Sequence, residues 1–243
     1  MKIAGRTDTG IVRTRNEDAF ATHEEAGLLV VADGVGGQAG GETAASMAVS
    51  VFREGFRNRP AWDRRDPDEE TAFLEYLLEK ANRAIYKVAS KPSAPDMATT
   101  LVALSAARRS VAVLHVGDSR AYRFRRGRLK RVTSDHSVAE SKRLFGLFSR
   151  SEEERRRDPL RHVVLRALGQ HPEVKCDVRK VRRRAGDLFL LCTDGLSDYV
   201  SEKDIAWTLG DKGEDLQAAC DALVDLANKS GGHDNITAGL IRF

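Results

Sequence analysis

The sequence predicts an α+β fold with antiparallel strands at its centre and helices packed in pairs against them. Three observations carry this prediction. Short apolar runs end beside an acidic residue with a glycine nearby, as buried strands that lead into turns do. Strand clusters alternate with pairs of helical segments. A short polar link at 107–110 joins two apolar runs and predicts a hairpin.

The first half of the chain predicts one strand, two helices and three further strands. Residues 28–33 form an apolar run, and a glycine-rich turn separates them from a helix at about 41–56. Asp66 before Pro67 is typical of a helix N-cap with proline in the first turn, and this second helix extends to about residue 89. Strands follow at 99–106, 111–116 and 120–125.

The second half begins with a long polar segment, 134–169, which is rich in Arg and Glu. Such a weakly patterned stretch inside a domain is typical of a functional loop or of disorder. Ser201, with Asp204 three residues later, predicts the start of a helix. The remaining predicted elements are strands at 174–181, 188–192 and 236–241 and a helix at about 216–229.

Length and composition indicate a globular protein of one domain, 1–243. The chain is 41% hydrophobic and 31% charged, and no apolar stretch approaches the ~18 residues of a membrane span. The N-terminus lacks the apolar core of a secretory signal, and three scattered cysteines do not make a disulfide framework. We therefore expect a cytoplasmic protein without a membrane span, and a monomer.

The net charge is +4, and arginines concentrate at 123–128, 155–157 and 179–184. Aromatic residues make up only 6% of the chain, and no nucleic-acid-binding motif is present, so we expect no nucleic acid partner. Like-charge runs are common on solvated faces, which is the favoured interpretation. A functional alternative is that the basic surface attracts a phosphorylated or acidic protein.

Acidic residues recur beside glycines at the ends of four predicted strands or turns. Each could be an ordinary turn, but the repetition predicts a shared acidic site, because gathered carboxylates repel one another unless a cation lies between them. Oxygen ligands favour Mg²⁺ or Mn²⁺ over zinc. The acids concerned are Asp33, Asp118, Asp194 and Asp234, and Glu17 and Asp18 add two more near the N-terminus.

Two competing motifs are weak. Residues 34–39 fit a loose dinucleotide-binding pattern, but Asp33 would place a negative charge against the pyrophosphate. Cys176 and Arg182 have the spacing of cysteine-based phosphatases, yet the residues between them contain no glycine for an anion-binding loop. The histidines show no metal-ligand spacing, and His115 is interpreted as a core residue.

Taken together, the motifs resemble the PP2C (PPM) family of metal-dependent serine/threonine protein phosphatases, in particular its compact stand-alone bacterial members. The resemblance implies a four-layer α-β-β-α sandwich with two mainly antiparallel central sheets, flanked by helix pairs, and a two-metal site at one end of the sheets. The motifs that carry it are 10–13 with 16–19, then 32–34, 98–100, 117–122, 133–137, 193–198 and 234–237.

The resemblance also assigns expected metal ligands. Asp33 would bind both of two Mn²⁺ or Mg²⁺ ions, with the Gly34 carbonyl as a further ligand. Asp194 and Asp234 resemble the remaining ligands of the first ion. Glu17 would hold the second ion directly or through water.

Further residues take supporting roles in the resemblance. Arg13 resembles the phosphate-binding arginine, and Asp18 would orient metal-bound water. Asp118, with Asp194, would contribute to a weaker third metal site. Gln38 stands where many bacterial relatives carry a histidine that could donate a proton.

The function implied is hydrolysis of phosphoserine and phosphothreonine in proteins by a metal-activated water, opposing a serine/threonine kinase. Phosphorylated proteins, including such a kinase or its targets, are the expected partners. Two alternatives stay open, a non-catalytic phosphoprotein-binding module on the same fold and a metal-dependent hydrolase of small phosphoesters. A flap at about 138–166 would border the centre. Two interpretations of its Arg155, Arg156 and Arg157 stay open: they select protein substrates, or they are solvated in a disordered segment.

Overall fold

The computed structural model describes residues 1–36, 40–59, 61–62, 65–91, 96–144, 160 and 163–243. Its strands are β1 Lys2–Asp8, β2 Asp18–His23, β3 Leu28–Val35, β4 Ala98–Thr99, β5 Leu101–Ala106, β6 Ser110–Val116, β7 Arg120–Arg125, β8 Arg128–Arg131, β9 Asp177–Arg182, β10 Leu188–Cys192 and β11 Ile236–Arg242. Its helices are α1 Gly40–Phe56, α2 Pro67–Ala89, α3 Val138–Leu144, α4 Asp194–Ser197, α5 Glu202–Lys212 and α6 Leu216–Lys229.

The strands form two sheets in which every described pair is antiparallel. One sheet has the order β1-β11-β10-β7-β8. The other has the order β2-β3-β5-β6-β9, and the short β4 pairs with the end of β3. The predicted hairpin at 107–110 joins β5 to β6, which lie side by side.

The layers follow from the two-residue period of the strands. In β3, Leu28, Val30 and Ala32 pack with α1 and α2 in one core, whereas Leu29 and Val31 pack in a second core between the sheets. A strand that is apolar on both faces is therefore covered on both sides, by helices on one and by the other sheet on the opposite one.

The same alternation in β10 places the second helix pair. Leu188 and Leu190 pack with α5 and α6, and Phe189 and Leu191 face the core between the sheets. The order of layers is thus helix pair, sheet, sheet, helix pair, and the predicted four-layer α-β-β-α sandwich is confirmed.

Helix caps in the structure agree with the sequence. The Asp66 carboxylate accepts a hydrogen bond from the N–H of Asp68 (2.7 Å) at the start of α2. The Ser201 hydroxyl accepts one from the N–H of Asp204 (3.1 Å) at the start of α5. Both side chains satisfy helical N–H groups that have no partner inside the helix.

Several elements differ from the sequence predictions. The strands β1, β2 and β8 and the short helices α3 and α4 were not predicted, and the strand expected at 99–106 is divided into β4 and β5. The strand expected from residue 174 begins at Asp177. Gln38, Arg155, Arg156, Arg157 and most of the flap lie outside the described residues. In the described part of the chain, no helix combines the length and apolar character needed to cross a membrane.

Candidate metal centre

A cavity of about 520 Å³ opens at the end of the sandwich where β3 and β10 end and where β7 and β11 begin. All but one of the predicted site residues line it: Arg13, Glu17, Asp33, Gly34, Asp118, Asp194 and Asp234. The exception is Asp18, which is buried and lies opposite Asp33 in the β2–β3 pairing. The fold therefore brings together residues that are scattered over most of the chain.

The end of β3 holds Asp33 and Gly34 in place. The N–H of Asp33 donates to the Thr100 hydroxyl (3.1 Å), and its carbonyl accepts from the Thr100 N–H (2.8 Å). A Cβ atom on Gly34 would collide with the Gly41 carbonyl and would lie 2.6 Å from the carbonyl oxygen of Glu17. Only glycine allows the start of α1 to approach the strand this closely.

Asn235 organises the loops around Glu17, Asp194 and Asp234. Its side-chain oxygen accepts from the N–H of Glu17 (2.8 Å), and its amide donates to two backbone carbonyls in the segment before Glu17 (2.9 and 2.8 Å). A Cβ on Gly195 would collide with the Asn235 carbonyl, so the turn after Asp194 packs directly on the turn after Asp234. These contacts fix three acids from distant parts of the chain at one rim of the cavity.

Asp18 links the two sheets at the base of the site. One carboxylate oxygen accepts hydrogen bonds from the hydroxyls of Thr193 (2.9 Å) and Thr237 (2.7 Å). The other oxygen, Oδ1, is buried and has no hydrogen-bond partner among the described residues. Burial, with a smaller contribution from neighbouring acids, raises the pKa of Asp18 to about 7.

Three acids that line the cavity also have raised pKa values, because a negative charge is unfavourable at their positions. Burial and then the nearby carboxylates raise the pKa of Asp33 well above its ordinary range. Burial and the charge of Asp194 do the same for the pKa of Asp118, and burial raises the pKa of Glu17. A buried group of like charges with unused oxygen atoms is what divalent hard cations bind, so this donor set fits Mg²⁺ or Mn²⁺.

Arg13 is the only Arg or Lys among the described residues that line the cavity. Its side chain is 53% exposed, and its guanidinium donates to the Asp234 carboxylate over 2.9 Å. This ion pair raises the pKa of Arg13 further, so the side chain is a permanent cation at the mouth of an acidic cavity. A guanidinium in this position offers two parallel donors to a phosphoryl group.

Comparison with known proteins agrees with this geometry. Residues 11–235 match the sequence model of the protein phosphatase 2C family. The chain belongs to the protein phosphatase 2C family. It is 33% identical over 245 residues to the serine/threonine phosphatase stp of Listeria monocytogenes, covering 99% of this chain and 95% of that protein. It is 34% identical to the serine/threonine protein phosphatase PstP of Mycobacterium tuberculosis, covering 98% of this chain and 44% of PstP.

Solved structures of the family superpose closely on the chain. The serine/threonine phosphatase Stp1 from Staphylococcus aureus has a TM-score of 0.90 at 30% identity, covering 100% of this chain and 94% of that one. The catalytic domain of PstP in complex with two manganese ions has a TM-score of 0.84 at 33% identity, covering 98% and 96%. The second comparison shows that a domain of this fold and family holds two manganese ions.

A second cluster, formed by His115, His136 and Asp177, was not predicted from the sequence because its members are far apart in the chain. His115 and His136 stack with ring centroids 4.6 Å apart, and Nε2 of His136 lies 3.3 Å from the Asp177 carboxylate. Nδ1 of His136 accepts from the Gly117 N–H (3.2 Å), which leaves the proton of the neutral ring on Nε2, beside Asp177. Arg166 adds a positive charge 3.1 Å from that nitrogen. Although three side chains of metal-binding types meet here, the proton on Nε2 of His136 and the charge of Arg166 favour a hydrogen-bonded network over a metal site.

Two further residues, Tyr199 and His233, line the cavity, with ring centroids 5.4 Å apart. In the sequence, only the position of His233 next to Asp234 indicates that this pair lies at the site.

Cys176 is not among the described lining residues of the cavity. Burial raises the pKa of its thiol to about 11. A protonated thiol is a poor nucleophile, which agrees with rejection of the cysteine mechanism.

Proposed function

We propose that this protein hydrolyses phosphoserine and phosphothreonine in other proteins at a centre of two Mn²⁺ or Mg²⁺ ions. The observation that carries the proposal is the convergence of predicted acids, with raised pKa values at Asp18, Asp33 and Asp118, around a cavity whose mouth holds Arg13. The named activities of its relatives, stp and PstP, support it.

The residue roles in this proposal are those that the family resemblance implies. Asp33 would hold both ions, with the Gly34 carbonyl as a further ligand. Asp194 and Asp234 would complete the ligands of the first ion, and Glu17 would hold the second directly or through water. All five line the same cavity.

The acids outside this set have their own proposed roles. Asp118 lines the cavity and, with Asp194, would hold a third, weaker ion. Asp18 would orient water through its Oδ1, the atom without a hydrogen-bond partner among the described residues.

When bound, such a pair of ions supplies a hydroxide nucleophile at neutral pH and charge for the phosphoryl oxygens. Arg13 would bind the phosphoryl group and neutralise part of its charge. The described lining includes no cysteine, and its Thr100 hydroxyl is already bonded to Ser119 (2.7 Å) and to the N–H of Asp33 (3.1 Å). The nucleophile is therefore assigned to water.

The proposed biological setting follows from the substrate. Phosphorylated proteins would be the partners, among them a serine/threonine kinase or its targets, and no nucleic acid is needed. We propose a cytoplasmic monomer with one catalytic domain, 1–243, and a flap at about 138–166. The isolated bridge between Ser137 and Val164, next to the short α3, supports this flap.

The decisive experiment measures phosphate release from a phosphothreonine peptide by protein purified in EDTA and then supplied with Mn²⁺ or Mg²⁺. We expect turnover only with the metal. Turnover of p-nitrophenyl phosphate without turnover of the peptide would favour a hydrolase of small phosphoesters. Metal-independent peptide binding with no turnover of either substrate would favour a non-catalytic binding module. Full activity in EDTA would refute the metal centre.

A further inference from the structure

Two basic segments that are far apart in the sequence, 123–131 and 179–180, meet at a groove between the edges of the two sheets. Its cavity of about 330 Å³ is lined by Arg123, Lys130, Arg131, Arg179 and Lys180. Val132 and Val181, which also pack into the core between the sheets, complete the lining. None of these described lining residues is acidic. We call this surface the basic groove.

The strand pairing forces like charges together at this groove. In the β7–β8 hairpin, Arg123 lies directly opposite Lys130, and Arg125 lies directly opposite Arg128. All four line an adjoining cavity of about 640 Å³. Like charges at directly opposed positions destabilise an antiparallel pair. Positions that break a local rule without a structural gain are candidates for function.

Ion pairing within the protein relieves only part of this charge. Arg131 pairs with Asp135, Lys180 with Asp68 and Arg125 with Asp187. Among the described residues, in contrast, Arg123, Lys130 and Arg179 have no carboxylate within ion-pair distance. The basic groove therefore keeps unneutralised positive charge on both of its walls.

We propose that the basic groove binds an extended acidic or phosphorylated segment of a partner protein. The groove runs between β8 and β9, each of which pairs with a neighbour on one side only, so an extended chain matches its shape. Carboxylates and phosphates match its charge. The described lining offers no aromatic ring on which bases could stack, which favours a peptide over a nucleic acid.

The basic groove is connected to the catalytic end of the molecule by the segment that follows β8. Val132 is followed by the segment that carries Asp135 and His136, and His136 contacts the end of the flap through Arg166 and through the N–H of Leu165, which donates to the His136 carbonyl (2.7 Å). A bound segment would thus recruit a phosphoprotein next to the metal centre. This recruiting role rests on the proposed phosphatase function, whereas the binding itself does not.

Binding is tested first, without catalysis. Fluorescence anisotropy with a labelled poly-glutamate peptide is measured on the Mg²⁺-saturated protein, on an Arg123→Gln/Lys130→Gln variant and on a Lys80→Gln/Lys87→Gln variant. The last removes the same charge from exposed positions on α2. We expect the groove variant to weaken binding about fivefold or more and the α2 variant to retain it. Absence of binding, equal losses in both variants, or tighter binding of a single-stranded DNA of equal length would overturn the proposal.

Catalysis then tests recruitment. Two phosphothreonine peptides are compared that differ only in an acidic or a neutral extension, with p-nitrophenyl phosphate as a reference. The groove variant should lose the preference for the acidic peptide, chiefly through KM, and keep its turnover of the other two substrates. Equal turnover of both peptides by the unmodified protein would overturn recruitment even if binding holds.

The stability of the variants distinguishes peptide binding from a role in preventing aggregation. Basic side chains on edge strands can have the single purpose of preventing edge-to-edge aggregation. In that case the groove variant would aggregate and bind the acidic peptide as before, which would overturn the proposal. Because the change removes a like-charged pair, we expect a melting temperature equal to or above that of the unmodified protein.

Discussion

Two buried groups of acids in this protein behave in opposite ways. Asp135 is held by Arg120 (2.8 Å) and Arg131, and although burial alone would raise the pKa of Asp135, these two arginines lower it below its ordinary value. Asp33 and Asp118, at the cavity, have pKa values well above their ordinary range. The same residue type in the same interior therefore carries its charge easily in one place and with difficulty in the other.

This difference indicates which buried acids need cations from solution to balance their charge. Glu70 repeats the pattern of Asp135, since it is fully buried and is paired with Arg65 (2.9 Å) and Arg59. Structural acids thus receive arginines from the chain itself. At the cavity, Asp234 pairs with Arg13, but Asp33 and Asp118 face other carboxylates and have no ion pair among the described residues. The positive charge that balances these two acids must therefore come from outside the chain.

The strongest test of this comparison is Asp33→Asn. We expect turnover of a phosphothreonine peptide to fall at least ~10³-fold, because the change removes the ligand proposed to hold both ions. The metal-free variant should melt at the same temperature as the metal-free unmodified protein or higher, since one of several repelling carboxylates is gone.

Calorimetry with and without Mn²⁺ supplies the second readout for Asp33→Asn. The unmodified protein should be stabilised by Mn²⁺ and the variant much less, because an ion that binds only the folded state raises its stability. Retained turnover, or a marked loss of metal-free stability, would place Asp33 with the structural acids.

The opposite outcome is expected for Asp135→Asn. Here the change leaves Arg120 and Arg131 buried without their shared carboxylate, which costs about 3–5 kcal/mol of unfolding free energy. Urea denaturation of the variant and of the unmodified protein measures this difference in unfolding free energy. A change below about 1 kcal/mol, the range of exposed ion pairs, would show that Asp135 is solvated and that the comparison fails.

A smaller effect is expected for Arg13→Ala, which removes the cation at the mouth of the cavity. The loss of one charge-assisted contact should lower kcat/KM for a phosphopeptide, mainly through KM. The decrease should correspond to a loss of about 1.5–3 kcal/mol of transition-state stabilisation. Arg15→Ala is a matched control, because Arg15 is exposed nearby and is not among the described lining residues. Equal kinetics for both variants would remove Arg13 from the site.

The smallest expected effect is a pH dependence of the metal-free protein. The pKa of Asp18 is about 7 in the folded state and has its ordinary, lower value in the unfolded chain, so the folded state holds the proton more tightly. This contribution to stability is complete below the unfolded pKa and is lost as pH rises through about 7. The metal-free melting temperature should therefore fall by a few degrees over this range. In Asp18→Asn the fall should be smaller, since Asp33 and Asp118, whose pKa values are also raised, still contribute. An unchanged slope in this variant would assign the fall to those other groups.

The strands that were not predicted from the sequence have a common location, the edges of the two sheets. Lys2–Asp8, Asp18–His23 and Arg128–Arg131 all lie at sheet edges, and the remaining edge strand, Asp177–Arg182, begins three residues later than expected. Central strands here are covered on both faces and show as apolar runs, whereas edge strands bury less and carry charged residues. A search for apolar runs therefore finds the middle of each sheet and misses its borders.

The candidate site was predictable to a different extent. Asp33, Asp118, Asp194 and Asp234 could be predicted because each lies next to a strand that an apolar run had marked. Glu17 and Asp18 lie at the start of β2, which no apolar run marked, and their roles came from the family resemblance. The pairing of His115 with His136 left no such signal, since it depends on how β6 packs against the segment before α3. Individual ligand roles, such as that of Glu17, stay predictions.

The contacts of Asp18 also bear on how the protein is made. Its hydroxyl partners, Thr193 and Thr237, follow it by 175 and 219 residues. During synthesis on the ribosome, β2 and β3 emerge long before the strand that carries Thr237, and contacts between such distant residues close late. A nascent chain that ends before Asp234 lacks one of the proposed metal ligands and is expected to be inactive on phosphoproteins. The centre becomes competent only when β11 has inserted between β1 and β10.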